Sequence, residues 1–324
     1  MKKLVVIFAL ITILIVGFVA FIFNPFQAPS SDSKTQIVNL DTDSDDVAAL
    51  KLQEAGYIKS MIAFDIALTI KNKHNQIQPG GYYLSKSMDT WQVVDKLTKG
   101  PDFKWVTIVE GMRKEQIGEK LKSIFGWSNE DLEKWNNTYT AMKYDYFEGV
   151  YFPDTYLIPT KENGLQIAER MIAHFNEKFA PYQKEFAKEN VLWTTGLKLA
   201  SIVQREAAGA KDMPLIAGIL WNRLSANQKL QVDATVQYAK GKTDGVWWSV
   251  VMPSDIENID SLYNTYKHTG LPPHPISNPG LDAIKAALNP EKTDCLYYLH
   301  DHRGQIHCAV TYKEHVENIR KYLN

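Results

Sequence analysis

The most pronounced pattern along the chain is an unbroken stretch of apolar and small residues from Leu4 to Phe23, preceded by Lys2 and Lys3. A helix of about twenty residues spans about 30 Å, the thickness of a bilayer's hydrocarbon core. The two lysines favour a cytoplasmic amino terminus, so the rest of the chain is expected outside. A cleaved signal peptide is the alternative, but its apolar stretch is normally shorter and a small-residue cleavage site should follow. We therefore predict a single-pass anchor in the inner (cytoplasmic) membrane over residues 1–24, with everything after it extracytoplasmic.

Beyond a polar, proline-containing linker at residues 25–34, apolar residues recur with the spacing of short helices and strands. Over residues 35–101 the pattern predicts the order strand, helix, helix, strand, helix, which indicates a small α/β unit. The predicted segments are Thr35–Val38, Ser44–Ala55, Met61–Ile70, Tyr82–Leu84 and Thr90–Thr98.

Residues 102–324 show a second, longer series of helical and strand patterns, so the fold class predicted for this part is mixed α+β. A long helix is expected from Asn163 to Glu189, interrupted at Pro181 because proline removes a helical hydrogen bond. The other predicted helices are Arg113–Ile124, Asn129–Trp135, Gly196–Ala208, Pro214–Leu224, Asp282–Leu288 and Lys313–Leu323, and the predicted strands are Trp105–Val109, Leu296–Leu299 and Gln305–Val310.

Composition and charge narrow the class of protein. A chain of 324 residues with 45% hydrophobic and 23% charged residues is long enough for two domains with ordinary cores. The formal net charge is −1, and no basic run occurs beyond the first residues. Nucleic acid is therefore not expected as a partner, because its binding usually needs a clustered basic face.

The helix predicted around residue 200 carries an acidic residue on its apolar face. Leu199, Ile202 and Val203 form one stripe at 100° per residue, and Glu206 falls in the middle of that stripe. Gly209 is expected to end the helix, which places Glu206 in the last turn, where the helix dipole disfavours an anion. Burial and the dipole both raise the pKa of such a carboxyl, as a proton donor requires. The alternative is a structural carboxylate paired with a buried arginine such as Arg223.

The only two cysteines, Cys295 and Cys308, flank a predicted hairpin turn. Export permits a disulfide, but two unpaired thiols packed as small apolar groups are the favoured interpretation. His300, His302 and His307 lie beside Cys308 without the spacing of a closed four-ligand zinc site. We therefore predict no metal and no cofactor.

The residues of the predicted helix from Leu199 to Glu206 resemble the catalytic helix of the YceG-like endolytic murein transglycosylases. Members of that family often carry two acidic residues on this helix; here Gln204 stands at the first, and Glu206 matches the catalytic position. Further resembling motifs follow in register at Glu148–Tyr156, Asn222–Leu224, Leu230–Tyr238, Tyr263–Tyr266, Gly270–Pro273, Asn278–Gly280 and Thr311 with Glu314-His315.

The resemblance implies a membrane-anchored lytic transglycosylase that cuts between N-acetylmuramic acid and N-acetylglucosamine within nascent peptidoglycan strands, leaving 1,6-anhydro ends and terminating strand growth. Glu206 would act first as acid and then as base, with no water nucleophile. Residues 35–101 resemble the family's LysM-like subdomain, and 102–324 its catalytic domain. Glycan strands are the implied substrate, and peptidoglycan synthases are implied partners.

Other candidate site residues come from two of these motifs. Gln231, Asp233 and Thr235 alternate, so on a strand they would share one face and could line a cleft, or they could hydrogen-bond a neighbouring loop. Tyr263 and Asn264 lie in a predicted loop and could hold sugar hydroxyls or an N-acetyl group.

Two other functions stay open at this point. A non-catalytic scaffold that binds glycan and recruits synthases would not need Glu206. A muramidase-type hydrolase would need a second carboxylate across the scissile bond, for which Asp233 is the candidate.

Overall fold

The computed structural model of the chain describes residues 24–141 and 148–323. The predicted membrane anchor, Leu4–Phe23, lies outside the described residues. Within the described ranges, no helix combines the length and the apolar character needed to cross a bilayer.

The chain divides into two compact units, the first formed by residues 1–105 and 157–161. Its elements are β1 (Thr35–Leu40), α1 (Asp45–Glu54), α2 (Met61–Lys71), β2 (Gly80–Ser85) and α3 (Thr90–Leu97). The order predicted from the sequence is thus confirmed, with boundaries that differ by a few residues at most.

Local sequence explains where the helices of the first unit begin. Ser44, Ser60 and Asp89 each accept a hydrogen bond from a backbone N–H of the helix that follows, at α1, α2 and α3 respectively. β1 pairs antiparallel with β2 from Thr35 opposite Ser85 to Leu40 opposite Gly80. The sheet order is β1-β2-β3-β4, and residues 103–105 of β3 (Phe103–Thr107) and 157–159 of β4 (Thr155–Pro159) belong to this unit.

The second unit comprises residues 106–156 and 162–324 and is mostly helical. After β3 come α4 (Lys114–Phe125) and α5 (Asn129–Lys134), which runs into a π-helical turn (Trp135–Tyr139). The later elements are α6 (Gly164–Lys188), α7 (Trp193–Glu206), α8 (Met213–Ser225), α9 (Asp233–Lys240), α10 (Pro253–Asn258), α11 (Leu281–Leu288), β5 (Tyr297–His300), β6 (Ile306–Ala309) and α12 (Tyr312–Tyr322). With the first unit, these elements make a mixed α+β fold, as predicted.

The predicted interruption of the long helix at Pro181 is wrong. α6 runs without a break from Gly164 to Lys188 and contains Pro181 in its interior. Phe175, Phe179 and Phe186 lie buried on both sides of the proline and stack in series. We infer that this continuous aromatic face offsets the hydrogen bond that proline removes.

α7 is the central helix of the second unit and packs against α8 and α11. Leu199, Ile202 and Val203 have no solvent exposure, so the apolar stripe predicted for this helix is confirmed. A polar contact adds to the packing, because the Oγ of Ser201 accepts a hydrogen bond of 3.0 Å from the backbone N–H of Ile276. These contacts fix the end of the helix that carries Glu206.

The structure has no strand through Gln231, Asp233 and Thr235, on which the three side chains would have shared one face. Gln231 has a φ of 53°, in the left-handed region, and the helix α9 begins at Asp233. The three side chains therefore do not share a strand face. The alternation misled because only three positions carried it, too few to distinguish a strand from a turn that enters a short helix.

The β5–β6 hairpin corrects the expectation for the cysteines. Cys295 and Cys308 form a disulfide, with their Cα atoms 5.9 Å apart, where unpaired thiols were the favoured interpretation. Antiparallel pairing of Tyr297 with Ala309 and of Tyr298 with Cys308 brings the two cysteines within bonding reach.

Candidate active site

Glu206 is the last residue of α7, and the chain turns into extended backbone at Ala207. Its side chain is half-buried, at the end of the helix whose apolar stripe contains it. The last turn of a helix has unpaired carbonyl groups, which disfavour a negative charge. The fold therefore places this carboxyl where ionisation is costly, without closing it off from solvent.

Two hydrogen bonds hold the Glu206 carboxyl. The phenol of Tyr298, on β5, donates to its Oε2 over 2.6 Å, and the backbone N–H of Ala234 in the first turn of α9 also donates. Arg223 was the partner expected if Glu206 were structural, but its guanidinium donates instead to the carbonyls of Leu230 and Leu296. The structural interpretation based on that arginine pair is therefore wrong.

Burial raises the pKa of Glu206 above its ordinary value, and the nearby Asp233 carboxylate raises it further. The hydrogen bonds from Tyr298 and Ala234 and the field of His300 act in the opposite direction without cancelling the rise. Burial and the Glu206 carboxylate raise the pKa of Tyr298 well above its ordinary value, so the phenol keeps its proton as a donor. The raised pKa makes the protonated form of Glu206 easier to keep, which favours a role as a proton donor.

The turn that follows Glu206 is held by Asp212. The carboxylate of Asp212 accepts hydrogen bonds from the backbone N–H groups of Ala208 at 2.9 Å and Gly209 at 3.1 Å. The same carboxylate lies 2.6 Å from Nε2 of His300, on the strand that carries Tyr298. β5 therefore supports both the carboxyl group of Glu206 and the backbone immediately beyond it.

The structure places Asp233 and Gln231 on the surface beside the site. Asp233 is exposed, and its Oδ1 accepts a 2.6 Å hydrogen bond from the phenol of Tyr266. Gln231 is exposed in the turn before α9, and its backbone N–H donates to the carbonyl of Thr265. Of the two, Asp233 acts on Glu206 directly, through its charge.

Thr235, Asn264 and Tyr263 make their contacts inside the protein. Thr235 has no exposure, and its hydroxyl lies 2.8 Å from that of Thr265. Asn264 is equally buried and donates from Nδ2 to the carbonyls of Ile256 and Ile259. Tyr263 is half-buried, and burial raises its pKa to about 12.

Gln204, which stands where a second acidic residue was expected from the resemblance, has a structural contact. Its Oε1 accepts a 3.0 Å hydrogen bond from the backbone N–H of Gly280. This bond ties α7 to the loop that precedes α11. The amide thus helps to place α7 and adds no second acid to the helix.

A groove of about 890 Å³ lies beside the turn that follows Glu206. It is lined by residues 208–212, by residues 303–307 of the β5–β6 hairpin, and by Leu215 and Glu291. Lys211 and Arg303 are exposed cations on this lining. Its volume lies in the range of sites that bind small ligands.

The histidines considered for a metal have other contacts. His300 pairs with Asp212, and Nε2 of His307 lies 3.1 Å from Oδ2 of Asp301. His302 lies past the end of β5, so it does not share a strand face with His300. In the part of the chain that the structure describes, no cluster of His, Cys, Asp or Glu could hold a metal ion.

Tyr298, Asp212 and His300 were not identified as site residues from the sequence. Tyr298 lies on the predicted strand Leu296–Leu299 and His300 directly follows it, so a strand one residue longer brings both side chains to one face. No sequence pattern, however, joined that face to Glu206, which is 92 positions earlier than Tyr298. Only the folded arrangement brings them together.

Comparison with known proteins gives a consistent result. The YceG-like family model matches residues 38–321. The endolytic murein transglycosylase of Bacillus subtilis strain 168 is 33% identical over 319 residues, covering 90% of this chain and 86% of that protein. The endolytic murein transglycosylase of Streptococcus pneumoniae D39 is 29% identical over 309 residues, covering 84% of this chain and 55% of its own length. A crystal structure of a YceG-like protein from Listeria monocytogenes matches with a TM-score of 0.64 at 28% identity, covering 87% of this chain and 98% of that one.

Proposed function

This chain belongs to the YceG-like family, and on that premise we propose that it is an endolytic murein transglycosylase that cleaves peptidoglycan strands, with Glu206 as acid and base. Relatives that carry this enzyme name match most of the chain. The observation that supports the role of Glu206 is its half-buried carboxyl, with a raised pKa, held by Tyr298 two residues before the turn that lines a groove.

Glycosidic cleavage needs a proton for the leaving oxygen while positive charge develops at the anomeric carbon. In the proposed reaction, protonated Glu206 gives its proton to the oxygen of the bond between N-acetylmuramic acid and N-acetylglucosamine. The resulting carboxylate then takes the proton of the muramic 6-hydroxyl, whose oxygen closes a 1,6-anhydro ring. One carboxyl group, whose pKa is raised by burial, serves both transfers, and no water is consumed.

Asp233 has a supporting electrostatic role in this scheme. Its negative charge raises the pKa of Glu206 and so favours the protonated form that starts the reaction. Asp233 could also stabilise positive charge at the anomeric carbon. The same residue is the group that a muramidase-type hydrolase would use, so product chemistry must separate the two reactions.

The direct test is Glu206→Gln in the purified full-length chain, incubated with uncrosslinked glycan strands. We expect a fall in the cutting rate of at least about 10³-fold, because an amide cannot transfer the proton. Glu189→Gln is a matched control, since Glu189 is an exposed carboxylate at the end of α6. Mass spectrometry of wild-type products should find 1,6-anhydro ends.

Other outcomes of that experiment support other functions. Reducing ends from the wild-type chain would support hydrolysis, and binding without cutting would support a glycan-binding scaffold. Undiminished cutting by Glu206→Gln would remove Glu206 from the mechanism.

We also propose that the enzyme is held in the cytoplasmic membrane by one helix over Leu4–Phe23, with its catalytic domain extracytoplasmic. The apolar run and the preceding Lys2 and Lys3 support this topology. We expect the full-length chain to stay in the membrane fraction after an alkaline wash; release into the supernatant would contradict the anchor.

Residues 35–101 are proposed to form a LysM-like subdomain that contacts glycan, and peptidoglycan synthases are proposed as partners. An enzyme anchored near those synthases could cut nascent strands and so terminate their growth. The family resemblance supports these two proposals. Crosslinking of the full-length chain in membranes, followed by identification of its neighbours, checks the synthase contact.

A further inference from the structure

Two side chains on one face of β5 support the end of α7. Tyr298 and His300 are two residues apart on the strand and point to the same side, with ring centroids 6.2 Å apart. Tyr298 donates to Oε2 of Glu206, and His300 pairs with Asp212. Both contacts are short, at 2.6 Å between heavy atoms.

The His300 contact extends to the backbone after Glu206. Asp212 binds the N–H groups of Ala208 and Gly209, which are two and three residues beyond Glu206. The side chain of Glu206 and the turn that follows it are therefore fixed from the same strand. A carboxyl with several free rotamers would gain a defined orientation from this arrangement.

The disulfide lies at the same point of the hairpin. Cys308 is the direct cross-strand partner of Tyr298, and it is bonded to Cys295, three residues before Tyr298. This covalent link restrains the strand position from which Tyr298 reaches Glu206. The position of Tyr298 is therefore set by the hairpin register and by the disulfide beside it, and Tyr298 is also the residue that donates to Glu206.

We propose that Tyr298 is a positioning residue of the transglycosylase, which binds Oε2 of Glu206 and so directs Oε1 toward the scissile bond. The proposal rests on the proposed function. It assigns Tyr298 no contact with substrate. Its effect is on the orientation and on the ionisation of Glu206, because a donor on the carboxylate stabilises the charged form.

Several other groups act on the same carboxyl and must stay unchanged in a test. The groups whose charge or hydrogen bond is coupled to Glu206 or to Tyr298 are Asp233, His300, Arg205, Tyr266 and Arg223, with the backbone N–H of Ala234. A substitution that removes only the phenolic oxygen of Tyr298 leaves all of them in place.

The test compares Tyr298→Phe with Tyr297→Phe in the full-length chain. Tyr297 is the adjacent residue on the strand, and its ring packs instead with those of His315 and Tyr312. For Tyr298→Phe we expect kcat to fall roughly tenfold with KM unchanged. The alkaline limb of the pH profile should move up by roughly one pH unit, because loss of the donor raises the pKa of Glu206. Tyr297→Phe should match the wild type.

A second measurement does not depend on activity. In chains labelled with ¹³C at the glutamate carboxyl, the Glu206 resonance is the one missing from Glu206→Gln, and its titration should move to higher pH in Tyr298→Phe. If the wild type cuts glycan but Tyr298→Phe shifts neither the alkaline limb of the pH profile nor the titration of the Glu206 resonance, this proposal alone is overturned. Absence of cutting by the wild type at every pH would overturn the proposed function and this role with it.

Discussion

Two carboxyl groups of the second unit, Glu206 and Glu148, share a residue type and a raised pKa but differ in surroundings. Glu148 has no solvent exposure, and burial, with the charge of Glu115 second, raises its pKa to about 8. Both of its oxygens accept the backbone N–H of Lys114, at 3.0 and 3.1 Å, and Asn278 donates to it from Nδ2 at 2.8 Å. Glu206 is only half-buried and has one side-chain donor, Tyr298.

The two groups also lie at different helix termini: Glu148 binds the amino-terminal end of α4, and Glu206 lies at the carboxyl-terminal end of α7. Lys114, which binds Glu148, is the first residue of α4, where free N–H groups need an acceptor. Glu206 is the last residue of α7, where no free N–H groups of its own helix are available. Burial alone therefore does not identify a catalytic acid. A catalytic acid must also be partly exposed and have few hydrogen-bond donors within the protein. By this criterion Glu148 is structural and Glu206 is available for chemistry.

The largest expected effect that separates the two groups is on stability. Glu148→Ala leaves the N–H of Lys114 and the amide of Asn278 buried without their acceptor, so we expect a loss of about 3–5 kcal/mol in the free energy of unfolding. Glu206→Gln keeps an acceptor for Tyr298 and removes a disfavoured charge, so its change should stay within about 1 kcal/mol. Denaturant unfolding followed by tryptophan fluorescence measures both.

A matched variant separates the lost hydrogen bonds from the lost volume. Glu148→Gln keeps the shape and one acceptor oxygen, so its loss should be smaller than that of Glu148→Ala. If Glu206→Gln proved as destabilising as Glu148→Ala, Glu206 would be structural as well, and the contrast between the two would disappear.

The sequence was sufficient to predict the buried face of α7, at whose end Glu206 lies, because local periodicity determines the face of a helix. Leu199, Ile202 and Val203 define the stripe of α7, and tertiary packing follows it. The helices and strands of the first unit were predicted for the same reason, since capping residues such as Ser44 and Asp89 act within a few positions.

The contacts that surround Glu206 were not predictable from one sequence. Tyr298, Asp212 and Asp233 come from three different elements, and only the tertiary fold sets their spacing. The strand expected at Gln231–Thr235 failed because α9 starts at Asp233, where Thr235 bonds with Thr265 in the core. The disulfide depended on the hairpin register, which the positions of Cys295 and Cys308 left open.

The last expected effect is a dependence of stability on pH, which is smaller per pH unit than the loss expected for Glu148→Ala. Glu148 has a folded-state pKa of about 8 against an ordinary value near 4.5, so between these values the native state binds a proton that the unfolded state has released. Its contribution to stability is therefore complete below about pH 4.5 and is lost as pH rises toward 8. The slope from one such group is at most about 1.4 kcal/mol per pH unit. The raised pKa of Glu206 acts in the same direction.

Thermal unfolding midpoints at pH 5, 6 and 7 test this contrast. The wild-type midpoint should be lowered by the titration of both carboxyls as pH rises, and Glu148→Gln and Glu206→Gln should each show a flatter decline, because each lacks one of the two titrating groups. His315, whose pKa burial lowers, acts in the opposite direction, but it is common to all three chains and cancels in the differences. A decline as steep in Glu148→Gln as in the wild type would mean that Glu148 is ionised throughout this range. Its two donors, the N–H of Lys114 and the amide of Asn278, would then outweigh its burial, and of the two carboxyls only Glu206 would have a raised pKa.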